Sequence, residues 1–143
     1  MNTFVVDASV AIKWYVPKVL SDGAVDFLQL SMQKDFFLLA SDLIVAEIGN
    51  ILWKKCRRKE ITAGDARKII GAVVNSFPIQ IIYSNQLMPV AFEIAHAYDR
   101  TVYDSLYLAL ARIKESPLVT ADEHLVNAIK DSTWCVALQE FAF

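Results

Sequence analysis

Phe4-Val5-Val6-Asp7-Ala8-Ser9 joins an apolar run to an acid and a small hydroxyl residue, and that junction decides how the rest of the chain reads. Thr3 to Val6 shows no polar alternation, the pattern of a central parallel strand buried on both faces. Asp7 stands where such a strand gives way to a helix, expected from about Ser9 to Val16. Two later stretches place an acid in a similar context. In Val102-Tyr103-Asp104-Ser105 the acid opens a helix running to about Lys114. In Leu118-Val119-Thr120-Ala121-Asp122 it follows a strand and precedes a short helix from Glu123 to Lys130.

The segments between these junctions alternate in the same way. A helix is expected from about Asp22 to Met32, a strand over Phe36 to Ala40 and a long helix from Asp42 to Lys59. Thr62 can cap a helix to about Asn75, with Asp65 at the capping-box position. Ile79 to Tyr83 reads as a strand, and the next helix starts near Asn85 with Pro89 in its first turns. Trp134 to Leu138 reads as the last strand. Strands alternating with helices imply right-handed crossovers and a parallel sheet covered on both faces. With 143 residues and neither repeats nor linkers, residues 1–143 form a single domain.

In a parallel sheet all strand exits open on one edge, so Asp7, Asp104 and Asp122 can converge despite their separation in sequence. Helix capping is the plainer explanation of each aspartate taken alone. It does not explain Glu47, inside the long helix at the rim of the apolar stripe formed by Ile44, Ile48 and Leu52. Four carboxylates brought together repel one another unless protons or a cation neutralise them. A hard divalent ion such as Mg²⁺ or Mn²⁺, held by oxygen ligands, is the ordinary solution. Ser9 and Thr120 can donate hydrogen bonds to these acids, and Asn50, one turn after Glu47, can orient it or a phosphate.

Composition narrows the function. The apolar share is 55% and the charged share 21%, which excludes disorder. A net charge of −2 gives no global field for a polyanion. With the four acids set aside, however, the 14 basic side chains are in excess of the remaining acidic ones. Lys54, Lys55, Arg57, Arg58 and Lys59 form the one basic run, readable as a solvated helix end or as a phosphate-binding patch. Cys56 and Cys135 lie far apart and belong to no metal motif, and His96 and His124 lack partners at ligand spacing, so a reducing cytosol is the expected setting. Asp7 and Lys13 interrupt the apolar start, which does not read as a signal peptide. Ile69 to Phe92 carries no charge, but Pro78, Pro89 and several amides break it into soluble elements, so no membrane span is expected. Glycine-rich phosphate loops and a Gly-x-Ser-x-Gly elbow are absent.

Val6-Asp7-Ala8-Ser9, Glu47-x-x-Asn50, Tyr103-Asp104-Ser105-Leu106-Tyr107-Leu108-Ala109-Leu110-Ala111 and Val119-Thr120-Ala121-Asp122-Glu123-His124-Leu125 together resemble the PIN-domain nucleases. Within them the chain is most similar to the VapC-like toxins of prokaryotic toxin–antitoxin pairs. The resemblance implies a three-layer α/β/α sandwich with a mostly parallel sheet of about five strands. It also implies an acidic Mg²⁺ or Mn²⁺ pocket, endonuclease activity on single-stranded RNA, a homodimer and a cognate antitoxin. Asp7, Glu47, Asp104 and Asp122 match the family's acidic positions, with Ser9 and Thr120 at its supporting hydroxyls. Two other readings stand beside it. A haloacid-dehalogenase-type phosphatase also begins with a strand-end aspartate, but its nucleophile and acid/base pair wants Asp-x-Asp, and Ser9 fills the second position. A non-catalytic binding module would instead use the apolar helices around Ile44 and Leu52 and from Val90 to Ala97.

Overall fold

A computed structural model describes residues 3–16, 28–29, 36–129 and 135–137, the last three by their backbone. Strand β1 (Thr3–Val6) turns Val5 and Val6 to opposite faces, and both are fully buried, so layers cover the sheet on its two sides. Beside β1 lie β2 (Phe37–Ser41) and then β3 (Gln80–Ile82); on its other edge lie β4 (Leu118–Thr120) and then β5 (Cys135–Ala137). The order is β3-β2-β1-β4-β5, and every pairing is parallel. The chain builds outward from β1 to β3, then returns to add β4 against the free edge of β1. That reversal makes the β1/β4 boundary a topological switch point, where ligands bind in open α/β sheets. Val6 pairs with Val119, which brings Asp7 and Thr120 level at the carboxyl edge.

Helix α1 (Ala8–Ala11) follows β1 directly and tightens into a 3₁₀ turn over Ile12–Trp14, shorter than the helix expected to Val16. Helix α2 (Leu43–Arg57) buries Ile44, Ile48 and Leu52, the stripe visible in the sequence, and packs on α1, β2 and α3 (Ala63–Ser76). Helix α4 (Ser84–Tyr98) packs extensively against α5 (Val102–Ile113). Every residue of α5 from Ser105 to Ala111 is buried, and the helix lies on β1, β2 and β4. A helix apolar on all sides belongs inside the molecule, and α5 is its central helix. The short α6 (Glu123–Ala128) follows β4. No helix among the described residues is long and apolar enough to cross a membrane.

Cap chemistry refines the expected boundaries. Thr62 caps α3 as expected, accepting from the Asp65 N–H at 3.0 Å. Asp42 precedes α2 without capping it: Ser41 Oγ accepts the Leu43 N–H at 3.2 Å, and Asp42 Oδ2 instead accepts from Ser84 N at 3.2 Å. This ties the start of α2 to the start of α4. Helix α4 begins at Ser84 rather than Asn85, so Pro89 falls one full turn inside it, where its missing N–H costs an intrahelical bond to Asn85. Asp99, at φ 53°, ends α4 in the left-handed conformation, and the chain reverses into α5. The helix expected over residues 22–32, and Lys130, Trp134 and Leu138, lie outside the described residues apart from Leu28 and Gln29.

Candidate active site

Asp7 caps α1 and forms the floor of a pocket at the β1/β4 crevice. Its Oδ1 accepts from the Val10 N–H at 3.3 Å and from Ser9 Oγ, and its Oδ2 accepts from Thr120 Oγ1. Both hydroxyls are held in turn: Ser9 Oγ accepts from Ala121 N at 2.9 Å, and Thr120 Oγ1 from Asp122 N at 3.0 Å. A hydroxyl has one proton. Ser9 and Thr120 both direct theirs at Asp7, so the 3.2 Å approach between the two oxygens is held by their shared acceptor. Asp7 is buried, and desolvation raises its pKa above the ordinary carboxylate value; the three donors oppose that rise, and the charge of Asp122 adds to it.

Glu47 reaches the pocket from the second turn of α2, half-buried. Tyr107, on α5 and buried, donates its phenolic proton to Glu47 Oε1. Desolvation raises the Glu47 pKa; the Tyr107 hydrogen bond lowers it, and the charges of Asp7 and Asp104 raise it again. Tyr107 itself is pushed far above its usual value by burial and by the acids around it, so it remains a donor. Asp104 lies in the first turn of α5. The cap of that helix is Thr101, which accepts the Asp104 N–H at 3.1 Å, so Asp104 does not open the helix as its sequence context implied. Its Oδ2 accepts from Arg100 Nη2 at 2.9 Å. Asp122 caps α6 with one oxygen, Oδ1 accepting from His124 N at 3.0 Å and Leu125 N at 3.3 Å. Its Oδ2 accepts no hydrogen bond among the described residues.

The four acids therefore share one field: Asp7 feels Asp122, and Glu47 feels Asp7 and Asp104. Asn50, by contrast, is exposed and bonds to none of them. Among the described residues no three acidic, histidine or cysteine side chains already stand at coordination spacing. The donor set is nevertheless all oxygen and partly desolvated, which fits a hard divalent cation. Sequence reading missed Tyr107 and Arg100. Tyr107 lies three residues after Asp104 on one helix face, a spacing that could have flagged it; Arg100 lies four residues before Asp104.

Carboxylates within one another's field at the switch point of an all-parallel sheet, with helices on both faces, define an α/β protein with an acidic carboxyl edge. The chain belongs to the PIN-domain family, whose sequence profile matches residues 4–130. It is 31% identical over 124 residues to "Ribonuclease VapC3" of Pyrobaculum aerophilum, covering 86% of this chain and 92% of that one. It is 29% identical over 128 residues to "Ribonuclease VapC1" of Mycobacterium tuberculosis, covering 90% and 92%. Its fold superposes on the crystal structure of Mycobacterium tuberculosis VapC20, described as a sarcin-ricin loop cleaving toxin, with a TM-score of 0.65 at 17% identity over 88% of this chain and 95% of that one.

Proposed function

We propose that this chain is a Mg²⁺- or Mn²⁺-dependent endoribonuclease that hydrolyses phosphodiester bonds of single-stranded RNA. In this reading it is the toxin of a toxin–antitoxin pair, acts in the cytoplasm as a homodimer, and is held in check by a cognate antitoxin. The observation that carries the reading is the common field of Asp7, Glu47, Asp104 and Asp122 at the β1/β4 crevice. The relatives named as ribonucleases, and the neighbour described as a toxin, support the choice of reaction.

Asp7, Glu47, Asp104 and Asp122 would hold the ion. When bound, it supplies Lewis-acid chemistry, polarising the phosphodiester and acidifying a water. The remaining work falls to the protein. Ser9, Thr120 and the Val10 N–H fix both oxygens of Asp7, so the floor needs no rearrangement to act as a ligand. Tyr107 occupies Glu47 Oε1 and leaves Oε2 to face the ion or the attacking water. Asp122 Oδ2, which accepts no hydrogen bond among the described residues, would be available to take up a proton. The phosphatase reading lacks its second carboxylate, because Ser9 stands where an Asp-x-Asp pair needs an acid.

A mixed single-stranded RNA pool tests the proposal. Cleavage should require Mg²⁺ or Mn²⁺ and stop with EDTA. Asp7→Asn and Asp104→Asn should lower its rate roughly 10²- to 10³-fold while the far-UV circular dichroism stays that of the parent. Variants that cut as fast as the parent would remove these residues from the reaction.

A further inference from the structure

The cationic end of α2 has no part in the pocket chemistry, yet it is built as more than a solvated terminus. Lys55 is tied to Glu60 at 3.3 Å, whereas Lys54, Arg57 and Arg58 are exposed and form no ion pair among the described residues. The Arg57 guanidinium lies over the Trp53 ring, 5.0 Å from its centroid, and Trp53 keeps 53% of its surface exposed. Trp53, Lys54, Arg57 and Arg58 line an open cavity of about 320 Å³.

Helix geometry connects this cavity to the acids. Lys54 is seven residues after Glu47 and Arg58 eleven, which at 100° per residue returns both to within about 20° of the Glu47 direction. At 1.5 Å per residue they stand about 10 and 16 Å along the axis from Glu47. Trp53 and Arg57 form the neighbouring row, one turn apart. At about 3.4 Å per stacked nucleotide, that distance is three to five nucleotides of one strand. The whole protein, at net charge −2, offers a polyanion no general attraction, so any grip on one has to be local. An acidic peptide would be satisfied by the cations alone. A half-exposed indole beside three of them is the combination that single-stranded nucleic acid uses, its bases stacking while phosphates meet the charges.

We infer that Trp53, Lys54, Arg57 and Arg58 form a subsite for single-stranded RNA flanking the scissile phosphate. Trp53 stacks a base, and Lys54 and Arg58 take the phosphates leading back to Glu47. The inference rests on reading the acidic pocket as the site of RNA cleavage, and its test separates the two.

Fluorescence anisotropy in EDTA, where nothing is cut, measures the affinity for a labelled oligoribonucleotide of about 12 residues. Trp53→Ala should weaken binding about 5- to 150-fold, and Trp53→Tyr should restore most of it, because any flat ring offers a stacking face. Lys54→Gln with Arg58→Gln should reduce the slope of log K against log salt by about 1.4, the loss of two phosphate contacts. If the parent cuts no RNA but these variants still lose affinity, the pocket reading fails and the subsite stands. Parent-like affinity and salt slope in all variants overturn the subsite. So do variants that keep RNA affinity but lose binding to a co-purified protein.

Discussion

Asp7 on the floor of the pocket receives three hydrogen bonds and no cation, whereas Asp104 on its wall receives one cation, Arg100, and no side-chain hydroxyl. Asp7 is almost fully buried; the Asp104 side chain keeps 32% of its surface. The floor is pre-organised by neutral dipoles that bring no charge to compete with an incoming ion. The wall is held by a charge on Asp104 Oδ2, which would oppose an incoming cation. Glu47 falls between the two, with a neutral donor but in the field of two other acids. The contrast places rigidity where strand register fixes it, at Val6 and Val119, and adjustability where a helix turn and a long side chain meet solvent.

The floor is the easier side to break. Thr120→Val keeps the shape of the side chain but removes the donor to Asp7 Oδ2 and the acceptor of Asp122 N. Loss of an outer hydrogen-bond partner to a ligand costs about 10- to 100-fold in metal affinity or rate. The buried carboxylate also loses a donor, worth about 1–3 kcal/mol of stability. Urea unfolding and Mn²⁺ titration of the same variant measure both. A variant that binds Mn²⁺ like the parent would mean that the floor is not what pre-organises the site.

Tyr107→Phe moves the comparison to Glu47. The ring remains in the core and only the hydroxyl goes, so Glu47 loses the one contact that lowers its pKa. Mn²⁺ affinity should fall about 10-fold, and the fall should be larger at acid pH, where the raised pKa of Glu47 rises further without its donor. Affinity that is lower by the same factor at every pH would show that Tyr107 orients Glu47 without tuning its charge.

Much of this was legible in the chain. The apolar runs at Thr3, Phe37 and Leu118 became strands because unbroken apolar stretches suit a sheet covered on both faces. Asp7 and Asp122 follow two of them, Glu47 lies in α2 and Asp104 in the first turn of α5. Asp7 and Asp122 do cap helices, as the plain reading expects, and in each one oxygen takes the backbone N–H groups, so capping leaves the second oxygen for another role. What sequence could not yield depends on contacts between distant elements. Tyr107 meets Glu47 across sixty residues, and Thr120 meets Asp7 only because β4 pairs with β1. Thr101 took the capping role assigned to Asp104 because a threonine three residues earlier fits the same box, which local spacing alone does not rank.

A smaller effect separates charge from shape. Glu47→Gln keeps the acceptor for Tyr107 and removes the charge. In the parent the folded pKa of Glu47 lies above its ordinary 4.5, so its favourable contribution is complete below that value and is lost as pH rises through the raised folded one. Without divalent ions, the Gln variant should therefore gain stability over the parent as pH rises from about 4 towards neutral. Added Mn²⁺ should reverse the order, since only the parent gains binding energy. A parent more stable than the variant at neutral pH in EDTA would contradict the strain assigned to this acid.

The smallest change tests the wall directly. Arg100→Gln removes the cation from Asp104, and both side chains are partly exposed, so the pair contributes only about 0.2–1 kcal/mol and the urea midpoint should barely move. Removing a competitor for a ligand has the opposite sign from removing a donor. Mn²⁺ affinity should rise, by up to about 5-fold if the whole pair energy had opposed the ion. The direction matters more than the size, because Thr120→Val and Arg100→Gln each remove one partner of an aspartate in the same pocket. If both weaken Mn²⁺ binding, Arg100 is a support for Asp104 and the wall is organised like the floor. If they move it in opposite directions, the floor presents its acid ready for use and the wall releases its acid only when something more strongly charged arrives.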